Sequence, residues 1–65
     1  MKTYTVRELQ NLQSHREGTE IAAKTLADAK RLATRNQVFQ GTVLVIEEGG
    51  HRVAYKENGR WTNCE

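Results

Sequence analysis

Two dipeptides, Gly49-Gly50 and Asn58-Gly59, constrain this chain more than anything else in it. Each has the composition of a two-residue hairpin loop, in which both central residues take positive φ. A loop of fixed length sets strand register. Side chains alternate with period two, so register decides which residues share a face. The last third of the chain therefore predicts a three-strand antiparallel meander: Val43-Leu44-Val45-Ile46, Arg52 to Glu57, and Arg60 to Cys64. With both loops two residues long, Ile46 faces Val53, Leu44 faces Tyr55, and Tyr55 faces Thr62, with Cys64 on the same face. The opposite face then carries Val43, Val45, Ala54, Lys56, Trp61 and Asn63, with Glu47 opposite Arg52 at its edge.

Upstream, Thr25-Leu26-Ala27-Asp28 has the Ser/Thr-x-x-acid form that opens a helix, predicted here to run to about Gln37. Leu26, Ala29, Leu32, Ala33 and Asn36 fall on one stripe at helical spacing, with Asp28, Arg31 and Arg35 opposite. The alanines allow close approach to a sheet. Lys2 to about Leu9 alternates loosely around Tyr4 and Val6, as a half-buried strand does. A short helix competes there, since Thr5-Val6-Arg7-Glu8 also reads as a capping box. Gln10 to Gly18 is polar and predicts a loop. Thr19 to Ala23 is either a strand placing Ile21 and Ala23 inward or a backward extension of the helix. The strand is preferred, because the Thr25 box loses its purpose in mid-helix.

These elements give a single small α+β domain over residues 1–65. One helix packs on one face of a four- to five-stranded antiparallel sheet, in order ββαβββ, with βαβββ as the alternative. So short a chain sits near the lower limit for unaided folding, and the usual staples are missing. Cys64 is the only cysteine, which excludes an intrachain disulfide, and one Cys with two His does not build a closed zinc site. The longest aliphatic run, Val43 to Ile46, is far too short for a membrane span or a signal-peptide core. With an unpaired Cys and no export signal, the expected location is the cytoplasm.

Catalysis finds little to use. His15 falls in the predicted loop and His51 at a turn, where solvation accounts for both. Cys64 is next to last, without a held base or an oxyanion site. Glu47-Glu48 reads as a soluble strand end. Gly49-Gly50 joins two strands with no helix N-terminus behind it, so it is a turn and not a phosphate cradle. No nucleotide-binding, metalloprotease or zinc-ribbon spacing occurs. The sequence assigns no catalytic residue, cofactor, metal or small-molecule substrate, and the chain is expected not to be an enzyme.

A binding role is the stronger expectation. One helix covers one sheet face, and the face opposite is predicted to expose Val43, Val45, Ala54 and Trp61. Arg52 and Lys56 lie at the rim. Trp and Arg are favoured anchors of protein interfaces, so this surface predicts docking of a protein partner or of a second copy as a homodimer. The alternative is a small nucleic-acid-binding domain using the basic C-terminal hairpin of Arg52, Lys56 and Arg60. Against it, Lys24, Lys30, Arg31 and Arg35 are expected on the helix side and Arg52 and Lys56 on the far face. Two weak patches do not make one groove. Neither expectation names the partner or the process.

Overall fold

In the computed structural model, which describes residues 1–10, 17–38 and 41–64, the chain forms five strands and one helix. They are β1 (Lys2–Leu9), β2 (Thr19–Ala23), α1 (Leu26–Arg35), β3 (Val43–Glu48), β4 (His51–Glu57) and β5 (Arg60–Asn63). The strands make one antiparallel sheet in the order β2-β1-β3-β4-β5, and α1 packs on one side of it. The architecture is α+β with ββαβββ order. Of the loop expected over Gln10 to Gly18, residues 11–16 lie outside the described residues, and His15 with them. No described helix is long and apolar enough to cross a membrane.

The competing local readings resolve through pairing. Lys2 to Val6 pairs antiparallel with Thr19 to Ala23, which makes strands of both segments and leaves the box at Thr5 unused. Thr25 stays extended at φ −139° and ψ 166°, and its Oγ1 accepts the Asp28 N–H at 3.2 Å. It thus satisfies one of the donors that a helix start leaves over. Asp28 also pairs with Arg31 one turn on. The helix ends two residues earlier than expected. Asn36 caps it at φ −92° and ψ 4°, donating its N–H to the Leu32 carbonyl, and Gln37 donates to Thr34 in a tighter turn.

Both hairpin turns have the required backbone. Gly49 and Gly50 stand at φ 60° and 83°, and Asn58 and Gly59 at 53° and 77°. The first turn sets Glu48 opposite His51 and Glu47 opposite Arg52, as two-residue geometry dictates. Then the ladder slips. Ile46 pairs with Ala54, not Val53, so Val53 is an extra residue in β4, a β-bulge. Everything after Val53 lies on the face opposite to the one predicted. Ala54, Lys56 and Trp61 move to the helix side, and Tyr55 moves to the far side opposite Val45.

Packing explains the slip. Beneath the helix, Ala54 is fully buried in a cluster with Tyr4, Ala23, Ala29, Ala33, Leu44 and Ile46. Val6, Ile21, Leu26, Leu32, Val53 and Trp61 pack around it. An alanine, and not a tyrosine, lets the sheet approach a helix that itself presents Ala29 and Ala33. On the far side Val43 and Val45 are buried to 5% and 0% exposure, together with Leu9 and the partly buried Tyr55 ring. The four aliphatics from Val43 to Ile46 are thus buried on both faces of a central strand. The outward apolar patch predicted for Val43 and Val45 is not there.

Candidate docking surface

The helix does not span the whole sheet. It packs against β2 and β3, over the β1 residues that lie between them, and β4 and β5 extend past its flank. This leaves a ledge, with one helix flank as its wall and the helix-facing side of β4 and β5 as its floor. Trp61 lies on the floor, partly buried against the main core and directly opposite Lys56 in register. On the wall, Lys30 and Thr34 are one turn apart and so project the same way. The Lys30 ammonium sits 5.8 Å from the centroid of the Trp61 ring and also donates to Asn63 Oδ1. That distance is within cation–π range. Lys56 Nζ reaches Thr34 Oγ1 at 3.5 Å. Two ammonium groups from different elements therefore converge beside one aromatic ring.

The six residues expected to form one docking surface separate in space. Trp61 and Lys56 come together on the ledge, and Ala54 lies beneath, without exposed surface. Val43 and Val45 are buried on the far side. Arg52 is exposed there, opposite Glu47. Lys30 completes the ledge, and sequence reasoning missed it as a partner of Trp61. Its helical offset from the core stripe does place it on a flank, but only the bulge brings the tryptophan to that flank.

The two sides differ in charge. Lys2, Lys24, Lys30, Arg31, Arg35 and Lys56 lie on the helix side with Glu8, Glu17, Asp28 and Glu48, of which Asp28 pairs with Arg31 and Glu48 with Lys2. On the far side cations and carboxylates alternate. Arg7 Nε donates to Glu47 Oε2 at 3.1 Å, and Arg60 lies opposite Glu57. The far side is close to neutral and the helix side cationic. Lys56 thus joins the helix cations, and the expected opposition between helix and hairpin charges does not hold for it.

At the other end of the helix, a cleft of about 340 Å³ is lined by Val6, Ile21, Leu44 and the carboxylate of Glu8. That carboxylate serves the fold. Its Oε1 accepts the Val38 N–H at 3.0 Å, and its Oε2 accepts the Thr42 hydroxyl at 2.8 Å. Thr42 accepts in turn from Gln37 Nε2 at 3.0 Å. The network ties the helix exit to β1, and the Thr42 hydroxyl beside the carboxylate is part of that tie.

No family model matches the chain, and no curated protein does. Among solved structures it is similar to AcrIF9, an anti-CRISPR protein, at 50% sequence identity and a TM-score of 0.92. The match covers 100% of this chain and 90% of the AcrIF9 chain.

Proposed function

The chain belongs to the AcrIF9 family, and from that premise we propose that it is an anti-CRISPR inhibitor. In this reading it is a non-enzymatic module that works by occupying a surface of a CRISPR effector assembly. The observation that carries it is 50% identity over the whole chain at the same fold. The site chemistry agrees with it. The ledge offers an anchored aromatic and two cations, which suits binding. In the cleft at the other end of the helix, the Glu8 carboxylate is already committed to structure. Trp61 and Lys56 are the docking residues retained from the sequence, with Lys30 added. Ala54 lies beneath the surface, whereas Val43 and Val45 are buried on the far side of the sheet, where Arg52 is exposed. Self-association through the far face loses its premise, since the valines meant to drive it are buried. In this reading the site of action is the cytoplasm, where an effector assembly would be met.

Titration of the purified chain into a reconstituted CRISPR effector complex of the kind AcrIF9 blocks tests this. Target-DNA cleavage should fall in proportion to added protein and reach its floor at a fixed molar ratio. Full activity at a large excess would sink the reading. Inactivation by a small fraction of an equivalent would replace it with an enzymatic one. The cationic helix side favours a second reading, in which the module touches the nucleic acid of the assembly directly. A mobility shift of bare DNA or RNA by the chain alone, lost at raised salt, is its signature.

A further inference from the structure

We propose that the ledge between α1 and the β4–β5 hairpin receives a carboxylate-bearing segment of a partner protein, held by Lys30 and Lys56 beside Trp61. This rests on the ledge being the docking surface, and it specifies what the partner must present. The first ground is donor capacity. An ammonium has three N–H groups and no acceptor. Among the described residues, Lys30 gives one to Asn63 and Lys56 gives one to Thr34, which leaves donors on both for an incoming anion. The second ground is preorganisation. Ring, amide and hydroxyl already hold the two lysines, so less side-chain freedom is lost when a ligand arrives.

The third ground is the tryptophan itself. The ring packs on the core, and the Lys30 ammonium lies over it. A nucleobase stacking on the face that Lys30 covers would have to displace that lysine, and base stacking is what aromatic groups contribute to single-strand binding. Of the remaining cations, Arg31 and Arg35 line a groove on the other flank of the helix, with Ala22 and Leu32. Lys2 and Lys24 lie past Asn63 in a groove that also holds Glu48, whose carboxylate pairs with Lys2. What the ledge presents is a short cationic seat with an apolar edge. An acidic residue flanked by apolar ones matches it.

Chemical-shift titration of the isotope-labelled chain tests the proposal, with acetyl-Glu-Leu-Glu-Leu-Glu-amide as probe. Its glutamine analogue and a short DNA duplex serve as comparisons. Saturable shifts are expected at the Lys30 and Lys56 side chains and at the Trp61 indole. The glutamate peptide should bind about tenfold or more tighter than its analogue, since charge-assisted hydrogen bonds are about twice as strong as neutral ones. Lys30→Gln with Lys56→Gln should remove that preference, while Arg31→Gln with Arg35→Gln should leave it. Equal binding of the two peptides, or shifts confined to other surfaces, would overturn the proposal. So would a duplex that perturbs the same three side chains at lower concentration, which would make phosphate the ligand. The titration uses the chain alone, so failure of the ledge and failure to inhibit a CRISPR effector are read in separate assays.

Discussion

Replacing Trp61 by alanine separates the observed face assignment from the one that unbroken two-residue hairpins predict. Were the ring on an open face, its loss would leave the core untouched. Here the ring packs on the main core and lies beneath the Lys30 ammonium. Truncating a fully buried tryptophan costs about 3–5 kcal/mol. Trp61 is only partly buried, so a little over half of that applies, and the lost ring–ammonium contact adds about 0.5–1 kcal/mol. The expected total is about 2–4 kcal/mol, against roughly 3–10 kcal/mol for a chain of this length at 0.05–0.15 kcal/mol per residue. Urea unfolding followed by far-UV circular dichroism reads this without needing the indole. With a slope of about 1 kcal/mol per molar urea, the midpoint should fall by about 2 M or more. Trp61→Phe should fall between, which keeps the test readable if the alanine variant does not fold. A double-mutant cycle with Lys30→Met should return about 0.5–1 kcal/mol of coupling between ring and ammonium. A midpoint shift below about 0.5 M for Trp61→Ala would place the ring off the core and refute the bulged register.

Ile46→Ala, at a side chain with 0% exposure in the middle of the sheet, should cost about 2–5 kcal/mol and shows in the same denaturation assay. Gly59→Val should destabilise by about 1–3 kcal/mol through its φ of 77° alone, since a Cβ there meets nothing within 4 Å. Recovery of wild-type stability in that variant would show that the turn tolerates a branched residue at positive φ. Thr25→Ala should lose about 0.5–2 kcal/mol with the removed cap, seen as lower helical signal and an earlier thermal midpoint. Cys64→Ser should change neither stability nor inhibition. What that residue gives the fold is a backbone N–H bonded to the Val53 carbonyl at 2.8 Å, and the substitution retains it.

What the sequence made legible were the features decided within a few residues of themselves. The cap at Thr25, the two turns and the alternation of β1 each depend on neighbouring side chains and φ preferences, and all of these appear as expected. Strand order was not legible, because β1 pairs with β3 across the helix and nothing local records that choice. The bulge was hidden for another reason. Val53, Ala54 and Tyr55 are all apolar, so no polar residue marked which of them turned away from the core. The run from Val43 to Ile46 was equally mute, being buried on both faces. One unread residue in β4 was enough to scatter a six-residue surface. It also hid the partnership of Lys30 and Trp61, which lie on elements far apart in the chain.

The bulge also bears on how a gene for this fold tolerates change in length. Loss of one codon inside a strand normally transposes every later side chain to the wrong face. At Val53 it does not. With that residue gone, Arg52 still meets Glu47 and Ala54 still meets Ile46, now as consecutive rungs of a regular ladder. Tyr55 stays opposite Val45 and Trp61 stays opposite Lys56. The losses are one partly buried valine and the carbonyl that accepts from Cys64. Relatives one residue shorter at this point are therefore compatible with an unchanged ledge, and their alignment gap should fall at Val53.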